Sequence, residues 1–238
     1  MEQLRRRTPG LGLELTDAQL DLFQKYFEEL IVWNGRFNLT AITAYEEVQE
    51  KHFLDSLTVS LALPQPIPGA FRLIDVGSGG GFPGIPLKIV FPQIEMVMIE
   101  STDKKADFLR HIVEVLSLEQ VEIVCGRAEE LAHAKEYREH FDAATARALA
   151  EMATLAELTL PFCRIEGRLI AQKKGDLSDE IAASKGAITK LGGGTPRIQP
   201  VCLPWFSDKR YLVVVDKLSS TPTEYPRRTG VPVKRPLS

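Results

Sequence analysis

Residues 73–87, LIDVGSGGGFPGIPL, constrain this chain more than any other stretch. An apolar run ends in Asp75, glycines follow at 77, 79 and 81, and Pro83 and Pro86 mark the start of a helix. Glycine lets the backbone turn sharply and approach a ligand with no Cβ in the way. Such a loop after a first strand predicts an open α/β sheet whose ligand sits above the carboxyl ends of the strands.

Two ligands compete for the loop. A dinucleotide fingerprint, G-x-G-x-x-G, needs its third glycine at position 82, which is Phe82. Pro83 and Pro86 also remove backbone donors where a pyrophosphate would need a helix N-terminus. The pattern D-x-G-x-G-x-G, with Asp75 on the strand, is the form found in S-adenosylmethionine enzymes. There the loop wraps the methionine part and the acid can face its ammonium. A second strand ending in Glu100 places a carboxylate where ribose hydroxyls can be read. A third runs into Gly126-Arg127-Ala128-Glu129, where backbone and an acid can meet an adenine edge. Charge at a helix N-terminus is the other reading of Glu129.

The surrounding pattern agrees with a mostly parallel sheet. Segments 71–76, 94–100, 121–125, 141–146, 167–172 and 211–215 read as strands, and 103–116 as an amphipathic helix. Strand and helix alternate, so right-handed βαβ units follow. Before them lie two helices. One opens at Thr16 with Gln19 in capping-box relation and ends near Asn34-Gly35. The second opens at Thr43 with Glu46, buries Leu54, Leu57 and Leu61, and stops before Pro64. The expected division is a helical extension over 1–66, an S-adenosylmethionine-binding domain over 67–218, and a basic, Pro-rich, irregular arm over 219–238.

Composition sets outer limits. The chain has 238 residues and a net charge of −3, which argues against overall nucleic-acid-type basicity. Basic residues are instead concentrated in Arg5–Arg7 and from Arg197 onward, where only Asp208, Asp216 and Glu224 oppose them. No apolar run is long enough to span a bilayer, and the N-terminus has no secretory pattern, so a cytoplasmic protein is expected. Cys125, Cys163 and Cys202 match no metal spacing and are expected to be buried reduced thiols. The histidines form no metal motif either, and no metal is expected.

The glycine loop, together with WNGRFNLTAI (33–42), HFLDSL (52–57) and the tail YPRRTGVPVKRPL (225–237), closely resembles the ribosomal RNA small subunit methyltransferase G family. That family is also known as glucose-inhibited division protein B. The resemblance covers nearly the whole chain and implies a class I methyltransferase fold: a Rossmann-like, mostly parallel, seven-stranded sheet with an N-terminal helical extension. It implies methyl transfer from S-adenosylmethionine to N7 of a guanosine in small-subunit ribosomal RNA, in the bacterial cytoplasm. Carried over, the cofactor pocket includes Gly77, Phe82, Ala128, Glu129 and Arg147, beside Asp75, Gly79, Gly81 and Glu100. Shorter members lack the tail, which leaves its role open.

Guanine N7 has an in-plane lone pair and no proton, so no general base is expected. The sequence after the fourth strand, Thr145–Leu149, lacks the [DN]-P-P-[YF] motif that holds exocyclic amines. Candidate RNA contacts are His52, Asp55 and Ser56, which α-helical spacing places on one face, with Asn38 and Thr40 before them. Lys173, Lys174 and Arg210 lie near strand ends that phosphates can reach, and with the tail they would form one basic face. The expected partner is small-subunit RNA or the subunit itself, met by a monomer. Competing readings are a methyltransferase for a small molecule or protein, an NAD-dependent dehydrogenase, and a non-catalytic RNA-binding or division-related protein.

Overall fold

The computed structural model describes all residues from Met1 to Ser238. In chain order it contains α1 (Glu2–Arg7), α2 (Asp17–Asn34), α3 (Tyr45–Val48), a π-helical turn (Gln49–Leu54), α4 (Asp55–Leu57) and a 3₁₀ turn (Thr58–Ala62). The α/β part follows as β1 (Arg72–Val76), α5 (Gly84–Val90), β2 (Glu95–Glu100), α6 (Asp103–Val115), β3 (Val121–Cys125), α7 (Ala128–Leu131) and β4 (Phe141–Arg147). It closes with α8 (Met152–Thr159), β5 (Cys163–Lys174), α9 (Ser178–Lys190), β6 (Arg197–Pro200), β7 (Arg210–Asp216) and α10 (Val231–Lys234).

The seven strands form one sheet in the order β3-β2-β1-β4-β5-β7-β6. Strands β1 to β5 pair in parallel, and β7 pairs antiparallel with both β5 and β6. The order reverses between β1 and β4, which opens a crevice above their carboxyl ends. Both faces are covered, so successive strand residues enter opposite cores. Leu73, Met96, Met98 and Ile170 pack toward the N-terminal helices, α5 and α6. Ile74, Val97, Ile99 and Leu169 pack toward α7, α8 and α9. The N-terminal helices therefore share the apolar core of one sheet face.

The Thr16–Gln19 capping box forms as its spacing predicts. The Thr43–Glu46 box does not form: α3 starts after Ala44 with no side-chain cap. The Glu46 carboxylate is engaged by Gln3 instead, at 2.8 Å. Leu61, expected in the core, is 38% exposed at the end of the 3₁₀ turn. Strand β6 escaped the sequence reading because Arg-Ile-Gln-Pro is short, mostly polar and Pro-ended, as suits a sheet edge. Of the cysteines only Cys163 is buried, whereas Cys202 is exposed and Cys125 partly so. No helix is long and apolar enough to cross a membrane.

Candidate active site

Above β1 and β2 the crevice is shaped by backbone. Gly77, Gly79 and Gly81 adopt φ of +75°, +58° and +93°, where a side chain would be strained. At Gly81 a Cβ would also stand 2.6 Å from Tyr26 Oη and 2.8 Å from Ile85. Four bonds hold the loop. The amides of Gly77 and Ser78 donate to the Ile99 carbonyl at 2.9 and 3.1 Å, and Gly79 N–H donates to Glu100 Oε2 at 3.0 Å. The Tyr26 hydroxyl, from α2, donates to the Gly80 carbonyl at 2.5 Å.

Asp75 lies fully buried beneath the loop. Its Oδ2 accepts the Gly84 N–H at 3.0 Å, while Oδ1 has no partner. Burial raises the carboxyl's pKa to about 7, against the opposing pull of the Gly84 amide, the Ser78 hydroxyl and Arg147. An orphaned acid at this place suits a cationic ligand group. Glu100 also has its first oxygen engaged, by Thr102 N–H at 2.9 Å. At the end of β3, Ala128 and Glu129 open α7, and Glu129 Oε1 accepts the Gly230 N–H at 2.9 Å. Nothing in the sequence pattern brings residue 230 to this place.

Phe82 marks the joint between this side and the next. The ring of His52 stacks on it at 4.4 Å, and the Arg147 guanidinium sits 4.8 Å above it. His52 Nδ1 faces Arg147 Nη2 at 3.3 Å and Nε2 faces Thr40 Oγ1 at 2.7 Å. Arg147 can only donate, so these partners assign the proton to Nε2. Burial, reinforced by Arg147, lowers the His52 pKa to about 3. This imidazole is neutral, and both its nitrogens are occupied.

Above β4, β5 and β7 the crevice is shaped by charge. Asp55 accepts from Arg147 at 3.2 Å and from Arg210, and Arg210 also donates to Asp208 at 2.8 Å. Gln172 Nε2 donates to the Asp55 backbone carbonyl at 2.6 Å. Asp55, Arg147, Arg210 and Gln172, with Thr58, Lys173, Lys174 and Tyr211, line a cavity of about 230 Å³.

The expected RNA-contact set is only partly brought together. His52 and Asp55 meet through Arg147, but Ser56 is fully buried with its hydroxyl unpartnered. The stretch is buried on every side, so no face of it is left for solvent: His52 is 8%, Asp55 5% and Ser56 0% exposed. Asn38 is exposed in the loop beyond α2. Lys173 is not an outward cation; its ammonium is held by the Ala150 carbonyl at 2.7 Å and Glu180 at 2.6 Å. Lys174 remains half exposed beside Asp208. The tail offers Arg228, Lys234 and Arg235 as exposed cations, but not Arg227. Its Arg227 is spent on Glu157, in α8. Tyr26 and Gln172 were missed. A tyrosine inside the apolar stripe Leu20–Phe23–Leu30 was the available sign of a buried hydroxyl with a partner.

A sheet of this order, with an acid-ended β1 feeding a glycine loop at the switch point, defines the class I S-adenosylmethionine-dependent methyltransferases. Solved structures agree on the fold: the CurJ carbon methyltransferase gives a TM-score of 0.51 at 10% identity, covering 70% of this chain and 54% of that one. The YcgJ protein of Bacillus subtilis gives 0.52 at 12% identity, covering 71% and 100%. The family model for rRNA small subunit methyltransferase G matches residues 19–202, and the chain belongs to that family. Relatives named ribosomal RNA small subunit methyltransferase G include one from Dehalococcoides mccartyi, 50% identical with both chains covered completely. Another, from Halalkalibacterium halodurans, is 41% identical over 99% of this chain and 98% of its own.

Proposed function

We propose that this chain methylates N7 of a guanosine in 16S, small-subunit ribosomal RNA. When bound, S-adenosylmethionine supplies an electrophilic methyl carried on a sulfonium. The backbone of Gly77, Gly79 and Gly81 would hold its methionine end, with the free oxygen of Asp75 suited to the ammonium. Glu100 would take the ribose, Ala128 and Glu129 the adenine, and Phe82 with Arg147 would close the wall toward the target.

The observation that carries this reading is the cavity at the β4, β5 and β7 ends, beside the loop and ringed by Arg147, Arg210 and Lys174 around a buried Asp55. Its size suits one base swung out of a single-stranded RNA loop, and Lys174, exposed at its rim, suits a flanking phosphate. Asp55 adds an anion where the base gains positive charge. Neutral, doubly bonded His52 is no proton acceptor, which accords with an N7 lone pair that needs none. Catalysis would then rest on alignment of N7 with the methyl. Asn38, His52, Asp55, Lys174 and Arg210 are the proposed RNA-side residues. Ser56 and Lys173 support them from within.

On this reading residues 1–66 form a helical cover, 67–218 the catalytic domain and 219–238 an arm. The chain works as a monomer in the bacterial cytoplasm, where small subunits are assembled. The test is transfer of tritiated methyl from S-adenosylmethionine to small subunits lacking the modification, with naked RNA in parallel, followed by mapping of the labelled base. Label on guanine N7 is expected. Label on an exocyclic amine, or none with either substrate, would overturn the proposal.

A further inference from the structure

The C-terminal arm is fastened to the enzyme by hydrogen bonds that a free basic tail would not make. The Glu157 carboxylate, 0% exposed in α8, is gripped by Arg227. The Arg227 amide and Nε each donate to Oε1 at 2.8 Å, and Nη2 donates to Oε2 at 2.6 Å. Nη2 also reaches the Arg235 carbonyl at 2.8 Å, so one guanidinium ties both limbs of the arm to the body. Arg138 holds the first limb by the carbonyls of Thr221, at 2.8 Å, and Tyr225, at 2.9 Å. His133 Nε2 meets the Pro226 carbonyl at 2.8 Å.

Between the limbs the chain reverses at Gly230, with φ +79°. There the Gly230 N–H donates to Glu129, and the neighbouring Thr229 hydroxyl donates to Glu130 at 2.9 Å. The returning limb accepts the Thr154 hydroxyl at the Pro232 carbonyl, 3.0 Å away. A groove of about 660 Å³ lies between arm and α7, lined by Glu129, His133, Pro226, Arg228 and Thr229. The tip of the arm thus lands on both acids that open α7 at the β3 side of the crevice, Glu129 and Glu130.

We propose that the arm is a strap that walls the adenosine end of the cofactor site and aims the Glu129 carboxylate, with Arg227 as its latch. The inference rests on the cofactor reading above, which puts the adenine beside Glu129. Gly230 binds one Glu129 oxygen and leaves the other for a donor such as the adenine amino group. Arg227 is a positioning residue: it touches neither cofactor nor RNA and acts through Gly230.

The full-length chain tests this in three measurements. Calorimetry with S-adenosylhomocysteine comes first; absence of binding to the unaltered chain removes the cofactor reading and the strap with it. Given binding, hydrogen exchange at the Gly230 amide is expected to slow when S-adenosylhomocysteine is added. An unchanged rate overturns the strap while leaving the cofactor site standing, and it needs no variant to fold. Arg227→Ala is expected to raise KM for S-adenosylmethionine about tenfold, the equivalent of one charge-assisted hydrogen bond lost at Glu129. Its kcat and its KM for small subunits should stay unchanged, and Arg227→Lys should restore part of the loss. The opposite split, with subunit KM raised and cofactor KM untouched, identifies the arm as an RNA contact and refutes the proposal.

Discussion

Above β1 and β2 the crevice is lined by backbone amides and carbonyls, whereas above β5 and β7 it is lined by charged side chains. The partners also differ in reach. Gly79 and Glu100 are separated by 21 positions. Asp55 meets Arg147 across 92, Gln172 across 117 and Arg210 across 155. The first side is a shape that glycine permits, set by sterics, by bonds to the neighbouring β2 and by one clasp from Tyr26, 54 positions away. The second is a charge balance that exists only after the whole sheet is assembled. Damage to each should therefore differ in kind: ligand affinity on one side, folding on the other.

Asp55→Ala is the strongest way to break that contrast. It removes the carboxylate that Arg147 and the buried Arg210 share and leaves Arg210 only the part-exposed Asp208, a loss of about 3–5 kcal/mol for breaking a buried pair by removing one partner. Urea denaturation is the check, and a loss below about 1 kcal/mol would place the pair in water rather than in the interior. Next comes Gly81→Ala. A left-handed φ costs an alanine about 1–2 kcal/mol, and the Cβ contact with Tyr26 Oη pushes the loop off its hydroxyl clasp. Affinity for S-adenosylhomocysteine should fall more than about tenfold, since that strain falls on the binding conformation. Unchanged affinity would mean that the loop's shape is not what the cofactor reads.

The same contrast governs what the sequence revealed. The fold was legible because strands buried on both faces read as apolar runs, and because Leu73–Leu87 carries its own geometry in three glycines and one acid. The places of Asp75, Glu100 and Glu129 at the strand ends were legible because distance from a strand end is a local property. Pairings were not legible. Arg210, Lys173 and Lys174 look alike as letters near strand ends, yet one is a buried partner of Asp55, one is tied to Glu180 and one is half exposed. The burial of Ser56 was hidden for a related reason: residues 52–57 are buried on every side, by elements that lie far along the chain. The arm read as irregular and basic, and its grip on Glu157 and Glu129 depends on α7 and α8 being already in place.

The cofactor side can be sharpened by pH. Burial puts the Asp75 pKa near 7, so below that pH the empty chain carries it protonated. A bound ammonium favours the carboxylate, so binding must release that proton. Affinity should rise as pH rises toward about 7, by up to tenfold per unit for one linked proton, and then level off. Calorimetry in buffers of different ionisation enthalpy counts the proton; zero release at pH 6 would separate Asp75 from the ligand. In the empty chain the sign is reversed relative to an ion-paired acid. A folded pKa above the unfolded value stabilises at low pH, and this contribution is lost as pH climbs from about 4 to about 7.

The smallest effect tests the charged side at its rim. Lys174 pairs with Asp208 at 3.1 Å, and its side chain is 53% exposed. Solvent screening and side-chain entropy leave such a pair with about 0–1 kcal/mol of stability. Lys174→Ala should therefore leave the urea midpoint almost unmoved. If Lys174 meets an RNA phosphate, the variant should bind small-subunit RNA more weakly and lower the slope of log affinity against log salt by roughly one counterion. The neighbouring Lys173→Ala should do the reverse: lose stability, because Glu180 and the Ala150 carbonyl lose their ammonium, and keep the salt slope. Two adjacent lysines in one strand would then report separately on folding and on RNA. If both variants moved the slope equally, the inward bonds of Lys173 would have to open on RNA binding, and the charged side would be a surface rather than a framework.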